Sequence, residues 1–165
     1  MSKRVVYPGS FDPITLGHVD IIERLCRTFD EVIILIAHSS QKKALFSIEE
    51  RKELIHKSLV RTKNFKVDSF DGLTTDYMKK NNVSLIVRGL RAVVDYEYEL
   101  TMANINRKIA PDVETLLVFA SPEYYFISSR AVKELALNGG PLDGMVPAVV
   151  IQPLLKKLNS TSRPN

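Results

Sequence analysis

Residues 5–18 read Val-Val-Tyr-Pro-Gly-Ser-Phe-Asp-Pro-Ile-Thr-Leu-Gly-His, and the rest of the chain is organised around them. The apolar run ends at Pro8-Gly9, and a helical pattern of apolar residues begins beside Thr15. A strand, a glycine-containing loop and a helix start bring backbone N–H groups and the positive end of a helix dipole to one spot, which favours a phosphate. His18 falls in the first helical turn and faces that spot. Taken alone, the same residues also fit a tight turn that binds nothing.

Length and composition favour one soluble domain. The 165 residues are 45% hydrophobic and 25% charged, which is ordinary for a globular protein. The formal net charge of +4 is spread along the chain, so we expect anionic small molecules rather than nucleic acid as partners. Cys26 is the only cysteine, which suits the reducing cytoplasm. No apolar run is long enough for a signal peptide or a bilayer, so we expect a cytoplasmic protein without a membrane partner.

Five apolar runs alternate with helical patterns. Strands are predicted to begin at Val5 and to span residues 31–38, 65–70, 83–87 and 114–120. Helices are predicted over 15–29, after a capping box at Ser47, over 73–80, between Arg91 and Pro111, over 128–137 and over 146–158, with an interruption at Pro153. The pattern predicts an α/β fold: a doubly wound, Rossmann-like, five-stranded parallel sheet in the order 3-2-1-4-5, with helices on both faces. It predicts one domain over residues 1–159 and a disordered tail at 160–165.

Polar and positive side chains follow each predicted strand on the binding side. In a doubly wound sheet the ligand lies beyond the carboxyl ends of the strands, where the winding direction reverses. The chain places these side chains there: Ser10, His18, Lys42, Arg88, Arg91, Ser128 and Ser129. Arginine binds phosphate with two parallel hydrogen bonds and lysine binds it as a point charge, so the set favours a polyphosphate. The alternatives are a solvated Lys42 and a pair of serines that only cap a helix.

The sequence shows no metal site and no catalytic triad. The three histidines, His18, His38 and His56, are far apart, and no acidic group has ligand spacing, so any Mg²⁺ would arrive on a nucleotide. Ser10 near His18 could suggest covalent catalysis, but no third residue that would orient the histidine is evident. Direct transfer between two bound substrates is the simpler expectation.

Three blocks of the sequence resemble the bacterial phosphopantetheine adenylyltransferases of the nucleotidyltransferase superfamily. They are residues 7–18, Arg88-Gly89-Leu90-Arg91 and residues 126–129, and Thr-x-Gly-His at 15–18 corresponds to the superfamily's His-x-Gly-His signature. The similarity runs from about residue 3 to residue 158. It implies a nucleotidyltransferase that reversibly transfers AMP from ATP to 4′-phosphopantetheine, giving dephospho-coenzyme A and pyrophosphate in coenzyme A biosynthesis. It also implies Mg²⁺ dependence and a homohexamer.

The same resemblance implies the site residues. Phosphopantetheine would contact Ser10, Lys42, Thr74 and Arg88. ATP would contact Ser10, Phe11, His18, Gly89, Leu90, Arg91, Glu99, Tyr124, Tyr125, Phe126, Ile127, Ser128, Ser129 and Arg130. His18 would stabilise the transition state, while Lys42 and Arg88 would offset the repulsion between two phosphorylated substrates. Thr74 and Glu99 enter through the resemblance alone.

Three positions depart from the family pattern. Ser10 stands where threonine is common, and the hydroxyl is kept. Tyr125 and Arg130 stand where small or serine-like residues are usual, and Arg130 either strengthens phosphate binding or points away. The alternative functions are another adenylyl- or cytidylyltransferase of the superfamily, with a different acceptor pocket, or a nucleotide-binding regulatory module without catalysis.

Overall fold

The computed structural model describes residues 3–37, 44–91 and 93–161 of the chain. Within them, five strands form one parallel sheet in the order β3-β2-β1-β4-β5. The strands are β1 (Arg4–Gly9), β2 (Glu31–Ala37), β3 (Phe65–Phe70), β4 (Leu85–Leu90) and β5 (Glu114–Phe119). The predicted fold class and strand order are confirmed.

Helices cover both faces of the sheet. They are α1 (Leu16–Thr28), α2 (Ile48–Ser58), α3 (Thr74–Asn81), α4 (Val93–Ile109), α5 (Ser129–Leu137) and α6 (Ala148–Thr161), with a 3-10 turn at Pro122–Tyr124. Side chains of α1, α2, α5 and α6 bury one face together with Val5 and Ile34. Side chains of α3 and of the segment after α4 bury the other around Val6 and Ile33. None of the described helices combines the length and apolar character needed to cross a bilayer.

β4 runs further than the sequence predicts. The predicted strand ends at Val87 because a charged residue follows it, whereas Arg88 pairs in register with Leu117, and Leu90 with Phe119, on β5. The charge is tolerated within the strand because Arg88 has hydrogen-bond partners there, described below. Strand geometry rather than a loop therefore sets the direction of the Arg88 side chain.

The C-terminal helix differs from its prediction in two ways. Pro153 lies inside α6 and does not interrupt it. The missing N–H deprives only the carbonyl of Val149 of its helical partner, and Val149 is exposed, so water reaches that end of the helix. The helix also includes Ser160 and Thr161, which the sequence assigns to a disordered tail. Residues 162–165 lie outside the described residues.

The apolar stripe of α4 is largely uncovered by this chain. Tyr98, Ile105 and Ile109 recur at helical spacing, yet all three are exposed. Phe119, at the end of the edge strand β5, is exposed as well. Apolar residues left exposed along one face of a helix are typical of a protein–protein interface.

Candidate active site

A cavity of about 450 Å³ opens at the carboxyl ends of β1 and β4. The ends of these strands and the starts of α1 and α5 converge on it, as the position of the winding reversal predicts. The residues of its wall come from four parts of the chain: residues 7–10, residues 15, 17, 18 and 21 of the α1 region, residues 88, 89, 91, 95 and 99 of the β4–α4 region, and residues 120 and 127–130 beside α5. His18 and Arg88 therefore share one pocket.

His18 is oriented by the start of its own helix. The Thr15 N–H donates to Nδ1 of His18 at 3.0 Å, and the Thr15 side chain accepts from the His18 N–H at 3.4 Å. These two bonds form a capping box in which histidine occupies the place of the usual glutamate. Because Nδ1 accepts a hydrogen bond from the backbone, the ring proton is assigned to Nε2, which is left to donate into the pocket. The residue that orients the histidine, missing from the sequence interpretation, is Thr15.

The imidazole is neutral at physiological pH. Burial, and to a smaller extent the charge of Arg91, lower the pKa of His18 to about 4. A neutral ring with Nε2–H toward the cavity is a hydrogen-bond donor, and its Nδ1 is already occupied. This arrangement suits stabilisation of a negatively charged oxygen and argues against a base that activates Ser10.

Arg88 is held by two groups beside the cavity. Its Nε and Nη2 donate to the Glu99 carboxylate at 2.6 and 2.7 Å, and its Nη1 donates to the Pro8 carbonyl at 3.0 Å. Glu99 is only 7% exposed, so this bidentate ion pair is largely shielded from water. A guanidinium has five N–H donors, and the two that remain can reach an anionic ligand. The structure thus gives Glu99 the position of a residue that orients Arg88.

Arg91 is held in the same way by Asp95, which lies one turn before Glu99 on α4. Its Nε and Nη2 donate to the two oxygens of Asp95, both at 3.1 Å, and its Nη1 donates to the Ile127 carbonyl at 3.2 Å. The last bond links the end of β4 to the segment that precedes α5. Since Asp95 and Glu99 are four residues apart, they lie on one side of α4 and hold the two arginines in parallel.

The loop after β1 is held from behind the cavity. The buried Arg51 of α2 donates to the Ser10 carbonyl at 2.9 Å. Asp12 accepts the N–H groups of Leu45 and Phe46 at 3.0 and 2.9 Å and pairs with Lys133 at 3.0 Å. Although burial acts in the opposite direction, these donors hold the pKa of Asp12 below its usual value. The backbone of residues 9–14 is therefore fixed in place.

Gly89 and Gly17 both line the cavity, but they differ in how much space a side chain would find there. A Cβ on Gly89 would lie 2.7 Å from Cδ1 of Ile21 and 3.3 Å from the Tyr7 hydroxyl, so a larger residue there would have to displace the end of the Ile21 side chain. A Cβ on Gly17 would meet nothing closer than 3.5 Å, at Cβ of Tyr124. The protein therefore leaves space at Gly17 for a ligand or a neighbouring group to lie close to the backbone.

The start of α5 uses its serines for structure as well. Ser128 Oγ accepts the Ala131 N–H at 3.0 Å as the helix cap, and the Ser129 hydroxyl donates to the Pro13 carbonyl at 2.7 Å. Ser128 keeps its hydroxyl proton for a ligand, whereas Ser129 has used its own. Arg130 lines the cavity, is exposed, and pairs with no other described residue.

Several residues implied by the resemblance lie outside the cavity wall. Phe11 is 1% exposed and packs edge-on against His18 with ring centroids 5.1 Å apart, so only its backbone could meet a nucleotide. Leu90 is buried, and Thr74 begins α3 on the far side of β2. The segment 124–126 borders the cavity without lining it. Lys42 lies outside the described residues.

Residues that the sequence interpretation missed also line the cavity. Tyr7 and Ile21 belong to apolar patterns and carry no polar signal of their own, while Asp95 looks like a solvated helix residue. One sequence signal could have pointed to the arginine partners: Asp95 and Glu99 stand four residues apart on the helix that follows Arg88 and Arg91. Its meaning depends on how α4 crosses the sheet.

The described residues contain no metal cage. No three of their His, Cys, Asp or Glu side chains could hold one ion together. The two carboxylates in the cavity wall, Asp95 and Glu99, are already paired with arginines. Donors of this kind fit the phosphates of a nucleotide that brings its own Mg²⁺.

Sequence comparison relates this chain to known enzymes over almost its full length. The model of the cytidylyltransferase-like family matches residues 6–135. A protein of Bdellovibrio bacteriovorus named phosphopantetheine adenylyltransferase is 66% identical over 158 residues, which are 96% of this chain and 99% of that protein. One of the same name from Geobacter metallireducens is 48% identical over 157 residues, with 95% of this chain and 96% of the relative covered.

Structure comparison supports the same fold. The Plasmodium falciparum nicotinic acid mononucleotide adenylyltransferase, solved with NaAD, superposes with a TM-score of 0.67 over 94% of this chain and 96% of its own, at 17% sequence identity. At that identity the likeness shows the fold alone, whereas the sequence relatives show the family. On that evidence the chain belongs to the phosphopantetheine adenylyltransferase family of cytidylyltransferase-like nucleotidyltransferases.

Proposed function

We propose that the protein transfers AMP from ATP to 4′-phosphopantetheine, giving dephospho-coenzyme A and pyrophosphate. The relative that is 66% identical carries the name of this enzyme. The observation that supports the proposal most directly is the meeting of the neutral His18 donor with Arg88 and Arg91 in one cavity. Two anionic substrates need such a set of fixed donors and cations.

The reaction is a direct displacement. An oxygen of the acceptor phosphate attacks the α-phosphorus of ATP, and the bond from that phosphorus to the oxygen bridging to the β-phosphate breaks as pyrophosphate leaves. The attacking oxygen is already anionic, so no general base is required. The protein's contribution is to align the two substrates and to stabilise negative charge as it builds up on the phosphoryl oxygens.

The residues divide this work by position. Nε2–H of His18 donates to an α-phosphate oxygen in the transition state. Arg88, held by Glu99, neutralises the acceptor phosphate, and Arg91 binds phosphates of the nucleotide. By family resemblance, we expect Lys42, Ser10 and Thr74 to contact the acceptor. Mg²⁺ enters bound to the ATP phosphates, because the carboxylates of the wall are already paired with arginines.

Assembly and location belong to the same proposal. We expect a cytoplasmic homohexamer, and the uncovered apolar residues of α4 and β5 supply a surface on which copies of the chain would pack. Light scattering on the purified protein measures the subunit number. A monomer at micromolar concentration would contradict this part of the proposal and leave the chemistry untouched.

The test compares two incubations that differ only in the acceptor. Purified protein is mixed with ATP and Mg²⁺, and with either 4′-phosphopantetheine or nicotinamide mononucleotide, and both pyrophosphate and the adenylylated product are measured. We expect dephospho-coenzyme A with phosphopantetheine alone. Product from nicotinamide mononucleotide would indicate another transferase of the superfamily. ATP binding without pyrophosphate from either acceptor would indicate a regulatory module.

A further inference from the structure

The hydroxyl of Tyr7, a buried residue of the cavity wall, has no hydrogen-bond partner among the described residues. Tyr7 lies in β1 and is only 5% exposed, yet its hydroxyl makes no hydrogen bond within residues 3–37, 44–91 and 93–161. A buried tyrosine hydroxyl normally has a hydrogen-bond partner, because the group loses water when the ring is buried. Tyr77, on the opposite face of the sheet, follows that rule and donates to Asp68 at 2.9 Å.

The unpartnered hydroxyl reaches the cavity beside Gly89. It lies 3.3 Å from the place that a Cβ on Gly89 would occupy, and both residues line the cavity. Thr115 Oγ1 is the one side-chain polar atom among the described residues that is both fully enclosed and unpaired. The Tyr7 hydroxyl, which is also unpaired, therefore keeps contact with the solvent of the cavity.

The surroundings make this hydroxyl a donor toward an anion. Burial raises the pKa of Tyr7 above its usual range more than the charges of Arg88 and Arg91 lower it, so the phenol keeps its proton. Both arginines are cationic donors and cannot accept that proton. An oxygen of a bound ligand can therefore take the hydrogen bond that the water of the cavity otherwise accepts.

We propose that the Tyr7 hydroxyl donates a hydrogen bond to an oxygen of bound ATP, directly or through one ordered water. The tyrosine thereby helps to place the nucleotide beside Gly89, where a Cβ would crowd Ile21 and the Tyr7 hydroxyl. This inference deepens the proposed function and rests on ATP being a substrate. It adds a nucleotide-binding residue from the centre of β1, which carries no charge and no loop signal in the sequence.

The experiment compares two tyrosines that differ in whether their hydroxyl already has a partner. Tyr7→Phe and Tyr77→Phe each remove one hydroxyl and keep the ring. For each variant we measure the Kd of ATP by calorimetry, the KM of both substrates and the thermal midpoint. We expect Tyr7→Phe to weaken ATP binding about tenfold, with the thermal midpoint and the KM of phosphopantetheine unchanged. Tyr77→Phe should lower the thermal midpoint and leave the Kd of ATP as it was.

A second measurement does not depend on a variant. In protein labelled with ¹³C at the tyrosine Cζ, the Tyr7 resonance should move when ATP is added without acceptor, and the Tyr77 resonance should stay in place. Equal ATP affinity in the wild type and Tyr7→Phe, or a Tyr7 resonance that ATP does not move, would overturn the inference. Failure of the wild type to bind ATP at all would instead overturn the proposed function.

Discussion

Two sides of the cavity present their polar groups in different ways. On the side formed by α1 and β4, His18, Arg88 and Arg91 are each oriented by a neighbouring residue. On the side at the start of α5, Arg130 is exposed and has no ion pair with the rest of the described chain. The first side is arranged before any substrate binds, whereas a substrate would have to order Arg130.

The difference separates groups suited to catalysis from groups suited to weak attraction. A donor that is already in place stabilises a transition state without reorganising as charge develops. A free surface arginine loses side-chain entropy when it binds and is screened by salt, so it contributes little. The oriented side should therefore govern the rate, and Arg130 should at most adjust the affinity for ATP.

The largest expected effect comes from breaking the Arg88–Glu99 pair. Arg88→Ala should lower kcat/KM for phosphopantetheine about a thousandfold, because it removes a phosphate ligand and leaves the buried Glu99 carboxylate unpaired. Steady-state kinetics at saturating ATP measures the loss. Arg107→Ala is the matched control, since Arg107 pairs with Glu114 on the surface, and it should be fully active. Unchanged acceptor kinetics in Arg88→Ala would remove Arg88 from the site.

A double variant separates the contribution of the Arg88 charge to activity from the loss of stability that an unpaired Glu99 carboxylate causes. In Arg88→Ala/Glu99→Gln no unpaired negative charge remains, so the denaturation midpoint should recover while the activity does not. Recovery of activity in the double variant would show that Arg88 serves stability alone.

The next effect concerns the histidine on the same side. His18→Ala should lower kcat at least about a hundredfold, the range seen when one preorganised donor to a developing oxyanion is lost. Single-turnover kinetics with both substrates bound isolates the chemical step. His56→Ala removes an exposed histidine that packs on Phe65, and its kcat should match the wild type. A folded His18→Ala protein with near-normal kcat would refute the role.

The lowered pKa of His18 also predicts how stability depends on pH. The unfolded chain takes up a proton near pH 6.5, while the folded protein does so only near pH 4. Between these values the unfolded state binds more protons, so the free energy of unfolding should fall as the pH drops from about 6.5 to about 4. The histidine contributes at most about 3 kcal/mol to that fall. Urea denaturation of the wild type and His18→Gln at pH 7, 6 and 5 isolates it, and parallel pH profiles would contradict the assignment.

The smallest expected effect comes from replacing Arg130, on the side of the cavity at the start of α5. Arg130→Ala should change the Kd of ATP by no more than about threefold, because an exposed side chain without a partner gains little on binding. Calorimetry at low and at physiological salt measures the change, and any effect should shrink as salt is added. A tenfold loss at physiological salt would show that Arg130 takes over the work of the serine usual at that position.

The fold was predictable because its signals are local and repeated. Alternating apolar runs and helical spacings give the strand order, and Ser47 and Ser128 cap helices as their patterns indicate. The arginines at the end of β4 could be assigned to the cavity for the same reason: parallel strands end at one edge. Pro153 was misjudged because its cost depends on whether the freed carbonyl is exposed, which sequence alone does not show.

The orienting partners could not be predicted from the sequence. Asp95 and Glu99 become partners of Arg91 and Arg88 only because α4 crosses β4 at a particular height and rotation. Tyr7 stands in the run of residues that forms β1, and its unpaired hydroxyl is visible only once every neighbour is placed. The spacing of Asp95 and Glu99 is visible in the sequence, but the packing of α4 against β4 decides which side chains they contact.

The hydrogen bond from the Thr15 backbone to His18 has a consequence for inhibitors. Because that bond fixes the tautomer, the cavity offers an N–H at this point and rejects a second donor. A compound aimed at the pocket needs a carboxylate, phosphonate or other acceptor facing Nε2. A protonated amine there would place its own N–H groups against the Nε2–H. Because the pKa of His18 is about 4, the ring stays neutral and keeps this single donor above that pH. Mutations that evade such a compound by replacing the histidine would also remove the half of the capping box that binds the Thr15 N–H, so resistance would come with a less stable start of α1.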